Sequence, residues 1–175
     1  MSEIKRQQSI VGYLNVCAVA ALLAGLPGAA RADDASVTRG KYLVNLGGCN
    51  DCHTPGSFFG KPDSGKTLGG SEVGFEIPDL GTFYGANLTP DKVTGLGGWS
   101  DDQVRSVLTT GKRPDGRELA PIMPWRAISQ LTKDDMQAVI DYLRSIPQVS
   151  NKVVGPFGPK DKPTSFVMKI VPPEK

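Results

Sequence analysis

The sequence predicts a mostly α-helical single domain with long loops between its helices. Three observations lead there. Two segments, near residues 100–110 and 132–146, carry helix-start signals followed by apolar residues at helical spacing. Glycine (21) and proline (14) are abundant in a chain of 175 residues, so much of it is loop. The third observation is the string Cys49-Asn50-Asp51-Cys52-His53, which asks for a large apolar cofactor around which such a loop-rich chain can close.

The amino-terminal segment reads as a leader. Lys5 and Arg6 precede an apolar stretch from Val16 to Leu26, Pro27-Gly28 breaks it, and Ala30-Arg31-Ala32 supplies small residues for cleavage. Residues 1–32 are therefore expected to be a signal peptide cut after Ala32, sending the chain to the periplasm. The apolar stretch falls short of the about 20 residues of a membrane-spanning helix. Membrane association is then expected only through a partner, or through this segment if it stays uncleaved. Removing 1–32 takes away Lys5, Arg6, Arg31 and Glu3, which leaves 17 basic and 17 acidic residues from Asp33 onward. That balance, with no basic run, argues against nucleic acid. Cys17 leaves with the leader.

Residues 33–149 make the expected domain. Its first helix is predicted over Val37–Leu46, capped by Ser36 and ended by Gly47-Gly48. Gly40 inside it costs about 1 kcal/mol relative to Ala, which points to a close helix crossing. The partner expected for that crossing is the last helix near Ile140–Leu143.

Cys49 and Cys52 are three positions apart, as two thiols must be to add to the two vinyl groups of one porphyrin. His53 follows and can ligate the iron; this is the c-type haem attachment pattern. His53 is the only histidine of the chain. A structural zinc site needs four ligands and only three are at hand. A redox C-x-x-C would open a helix after a strand, and a helix precedes it here. A Cys49–Cys52 disulfide leaves His53 without a role. One covalent haem c is thus the expected cofactor.

Residues 54–99 are expected to form a long structured loop, dense in glycine and proline, with a short strand pair near Phe75–Tyr84. A loop of that length tends to be functional. The second helix starts at Ser100, which with Gln103 makes a capping box; Asp101 and Asp102 suit its positive end, and Gly111 stops it. A helical turn is expected at Trp125–Gln130. The last helix is capped by Thr132, and its apolar face is Met136, Val139, Ile140 and Leu143; Pro147 ends it. Residues 150–175 read as an extended, proline-rich tail on the surface or on a partner.

The far side of the iron needs its own account. Met136 belongs to the apolar face of the last helix, and Met168 lies in the tail. Met123 is held between Pro121 and Pro124 in a loop between helices, where prolines restrict the backbone. Met123 is the expected distal ligand; a methionine packed on the haem rim without ligation is the plainer alternative. Lys112, Arg113 and Arg117 stand near it in sequence and would rim a docking face. Trp99 and Trp125 would pack on the porphyrin or donate to a propionate, or simply fill core.

These residues together resemble a class I c-type cytochrome. The nearer similarity is to cytochrome c subunits of bacterial alcohol, gluconate and nicotinate dehydrogenases. It rests on Gly48–Gly56, on Asn87-Leu88-Thr89-Pro90-Asp91 with Thr94–Ser100, on Pro121–Trp125 and on Tyr142–Pro147. The resemblance implies a cytochrome c-like small helical domain wrapped around one covalently bound haem. Cys49 and Cys52 would be its thioether links, and His53 and Met123 its axial ligands. It also implies an electron carrier rather than an enzyme, with redox partners such as a dehydrogenase, another cytochrome or an oxidase. Those subunits usually carry three modules and a carboxy-terminal membrane segment, whereas here there is one module. A fixed relay subunit and a haem enzyme with an open distal site stay as alternatives.

Overall fold

The computed structural model describes residues 34–169 together with Val171 and Pro173. The expected leader and its cut after Ala32 lie outside the described residues. Five α-helices are present among them: α1 Asp34–Leu46, α2 Cys49–His53, α3 Asp101–Thr110, α4 Trp125–Ile128 and α5 Lys133–Ser145. Three short strands accompany them: β1 Val73–Ile77, β2 Gly81–Tyr84 and β3 Phe166–Lys169. No helix among the described residues is long and apolar enough to cross a membrane.

The helix ends follow their local chemistry. Ser100 accepts from the Gln103 amide at 3.2 Å while its own amide donates to Gln103 Oε1 at 2.9 Å, closing the expected capping box. Gly111 ends α3 at φ 73°, a conformation that favours glycine. Thr132 caps α5 by accepting from the Asp135 amide at 3.1 Å. α1 differs from expectation: it begins earlier, at Asp34, and Ser36 lies inside it. The Ser36 hydroxyl donates to Asp141 of α5 at 2.5 Å, so it fastens two helices instead of capping one.

The core sits where α1 and α5 cross. Val44, Leu68, Val139, Tyr142 and Leu143 are buried together, and Val104, Met136 and Ile140 continue the cluster under α3. Burying side chains of this size contributes about 1.5–3 kcal/mol each. Gly40 lies in the crossing as expected. A Cβ at Gly40 would fall 2.8 Å from Tyr142 Cβ, within the expected span, and 1.9 Å from the carbonyl oxygen of Ala138 just before it. Small Ala138 is what lets the helices approach. An Arg39–Asp135 ion pair at 2.8 Å flanks it.

The expected strand pair is present. β1 and β2 run antiparallel, with Phe75 opposite Phe83, around a turn with Asp79 at φ 62°. The tail is expected to be extended on the surface or on a partner. Its strand β3 lies parallel to β1, with Val73 opposite Phe166, and completes a sheet of order β2-β1-β3. Upstream, Phe157 and Thr82 exchange backbone hydrogen bonds at 2.9 and 3.0 Å. Ser165 Oγ donates to the Glu72 carbonyl at 2.7 Å, and Asn151 Nδ2 donates to the Gly69 carbonyl at 2.8 Å. The tail is thereby sewn along the 54–99 loop at several points.

Candidate haem site

α2 is one short helical stretch, and it exists because Gly48 adopts φ 66° and turns the chain out of α1. It carries Cys49, Cys52 and His53 together. The two cysteines are partly buried and are not joined to each other by a disulfide. Burial pushes the Cys49 thiol above its ordinary pKa, and a neighbouring Cys52 or Asp51 charge adds to that. Burial and then Asp51 do the same to Cys52. A disulfide-exchange cysteine needs the opposite shift. No group of three or more His, Cys, Asp or Glu among the described residues is placed to hold a metal ion.

His53 is 8% exposed. Its Nδ1 lies 2.7 Å from the Ala86 carbonyl oxygen. A carbonyl has no proton to give, so Nδ1 must hold the proton and Nε2 the lone pair. Burial lowers the His53 pKa, and the bond to Ala86 partly opposes it. The ring is thus neutral at pH 7, oriented, and free at Nε2, the state in which imidazole ligates iron. The site is held by the loop that follows. The His53 carbonyl accepts from the Gly70 amide at 2.8 Å, and Thr54 Oγ1 accepts from the Leu68 amide at 2.9 Å. Gly85 rides so closely on α2 that a Cβ there would strike the Cys52 carbonyl.

Met123 lies on the loop between α3 and α4, half-buried. Its amide donates to the Ala120 carbonyl at 2.9 Å, and its carbonyl accepts from the Trp125 amide at 2.8 Å. α2 thus carries three of the four expected site residues, and the fourth, Met123, lies on the α3–α4 loop. Met136 is 3% exposed in the core, as its helical position requires. Met168 lies on β3, 48% exposed. The basic rim is less positive than its sequence suggests, because Arg113 and Arg117 share Asp115 at 3.4 and 2.8 Å. Both indoles are occupied by guanidiniums, Trp99 by Arg113 at 5.0 Å and Trp125 by Arg126 at 4.6 Å.

Two thiols and an imidazole with a free Nε2 on one turn, with a half-buried thioether elsewhere, are a donor set that fits a c-type haem. The residue that sequence reasoning passed over is Asn87. Its signal was present in Asn87-Leu88-Thr89: the Thr89 amide donates to Asn87 Oδ1 at 2.9 Å, a side-chain turn of the kind asparagine favours.

No family model matches the chain. Among similar proteins is the cytochrome c subunit of a quinone alcohol dehydrogenase from Gluconacetobacter polyoxogenes, 38% identical over 112 residues, covering 63% of this chain and 22% of that protein. The cytochrome subunit of a fructose dehydrogenase from Gluconobacter japonicus is 35% identical over 118 residues, 67% of this chain and 22% of that protein. The cytochrome c subunit of a gluconate 2-dehydrogenase from Pantoea cypripedii is 34% identical over 115 residues, 64% of this chain and 23% of that protein. The chain matches less than a quarter of the length of each of these relatives.

Proposed function

We propose that this homologue of dehydrogenase cytochrome c subunits is itself a mono-haem c-type cytochrome of the periplasm that passes single electrons between a dehydrogenase or respiratory donor and an acceptor. The observation that carries the reading is the geometry of α2, where His53 is buried, neutral and oriented by the Ala86 carbonyl with Nε2 free. Cys49 and Cys52 would hold the porphyrin as thioethers, His53 would ligate the iron on one side and Met123 on the other. The haem, when bound, supplies an iron that cycles between ferrous and ferric. The chain's own residues fix the imidazole tautomer, keep water from the proximal side by burial, and close the 54–99 loop over α2.

A fixed relay within a larger dehydrogenase is the second reading, favoured because the relatives are named as subunits. It predicts co-purification with the catalytic subunit. The test of the main reading is chemical. Acid–organic extraction should leave haem on the polypeptide, and the mass should equal the chain from Asp33 plus one haem. Haem that extracts freely, or a mass with two unmodified thiols, refutes it.

A further inference from the structure

Asn87 is 2% exposed, and every polar atom of its side chain is engaged. Its Nδ2 donates to the Val149 carbonyl at 2.6 Å and to Thr94 Oγ1 at 3.0 Å. Its Oδ1 accepts from the amide and the hydroxyl of Thr89 at 2.9 and 2.7 Å. Thr94 Oγ1 donates in turn to Asp91 Oδ1 at 2.8 Å and accepts from the Asn151 amide at 3.1 Å. The network is directional: two donors of the amide face two acceptors, and its oxygen faces two donors. Only one orientation of the Asn87 side chain satisfies it, so the backbone at 86–87 is held in one place.

The peptide carbonyl immediately before Asn87 is that of Ala86, the acceptor for His53 Nδ1. Val149 and Asn151 belong to the run that follows α5. We infer that Asn87 is a positioning residue for the proximal imidazole, pinning the Ala86 carbonyl by tying it to the backbone beyond α5. This rests on the proposed role of His53 as an iron ligand. A firm Nδ1–H···O=C bond makes the imidazole a stronger donor at Nε2 and favours ferric iron. The residues 149–151, far from His53 in sequence, therefore set the potential through Asn87 and Thr94.

The test compares Asn87→Ala, Thr94→Val, Thr94→Ser and Ser165→Ala in the full-length haem-loaded protein. Two quantities are read: the reduction potential, and the exchange rate of the His53 Nδ1 proton by nuclear magnetic resonance. Asn87→Ala and Thr94→Val should raise the potential and speed Nδ1 proton exchange relative to the parent, because the Nδ1–H···O=C bond is loosened. Their double variant should shift by less than the sum, because both act on one network. Thr94→Ser keeps the oxygen and should restore both readings, so the Thr94 pair decides the matter if Asn87→Ala fails to fold. Ser165→Ala loosens the tail at Glu72, away from this network, and should leave both readings unmoved. Unshifted values in Thr94→Val, or an equal shift in Ser165→Ala, overturn the inference. A chain that carries no covalent haem refutes the earlier reading instead, and Nδ1 exchange in that unloaded chain still decides the role of Asn87.

Discussion

Replacing Gly40 by alanine should destabilise the protein, although alanine is the better helix former. In an isolated helix the change would gain about 1 kcal/mol. Here the added Cβ would stand 1.9 Å from the Ala138 carbonyl oxygen and 2.6 Å from its carbon. Ordinary carbon–oxygen contacts begin near ~3.3 Å. The obstacle is backbone, so no rotamer change relieves it, and α1 must move away from α5 by about an ångström. A gap of that size forfeits up to about half of each dispersion contact across it. Val44, Tyr142 and Leu143 lie in that seam. Overpacking of this kind costs about 1–3 kcal/mol, and the helix-forming gain offsets about 1 of it. The expected net loss is therefore up to about 2 kcal/mol for alanine and more for valine. The assay is urea unfolding followed by circular dichroism, with the midpoint shifted and the slope preserved. An alanine variant that unfolds at the same or a higher urea concentration would refute the close crossing.

Two further outcomes follow. Met123→Ala in the haem-loaded protein should lower the reduction potential, because thioether sulfur favours ferrous iron, and should admit imidazole or carbon monoxide. Met136→Leu should keep the spectrum and change stability by less than about 1.5 kcal/mol, since Met136 is core beside Val104 and Ile140. An unchanged low-spin spectrum and potential in Met123→Ala would withdraw Met123 as ligand. Asp91 is held below the ordinary carboxylate pKa by hydrogen bonds from the Thr94 amide and hydroxyl. A depressed carboxylate stabilises the fold above its unfolded pKa of about 4, and that contribution is lost as pH falls through the folded value. The stability difference between the protein and Asp91→Asn should therefore be largest near pH 7 and shrink below about pH 4. Unfolding midpoints in urea from pH 7 to 3 measure it, and a difference independent of pH would count against the Asp91–Thr94 bonds.

What the sequence made legible was local. Ser100 with Gln103, Thr132 with Asp135, and the glycines at 48 and 111 act within a few residues, and each stands where its chemistry says. The attachment turn is equally local. The Gly40 crossing was legible down to its span, because Tyr142 stands against Gly40 and Leu143 shares a cluster with Val44. The depth of approach was not, because it is set by the small residue Ala138. Ser36 looked like a cap because its real partner, Asp141, is 105 positions away. β3 carries no turn signal, because a parallel strand takes its partner from elsewhere in the chain. Asn87 escaped for the same reason: its donors reach residues some sixty positions later.

Fastening Ser165 to Glu72 closes a span of 93 residues. Most of that span is already closed upstream, where Asn151 is tied to Gly69 and Phe157 to Thr82, so joining β3 closes only a short further loop. β3 adds only four residues of pairing, and its side chains are largely exposed. Because β3 is short and largely exposed, it is lightly held and is expected to open locally more readily than the helices. Its departure frees one edge of β1 while leaving the α1–α5 seam intact. Opening there would loosen the Ser165–Glu72 bond, next to the Gly56 amide that donates to Glu72, while the α1–α5 helices stay packed.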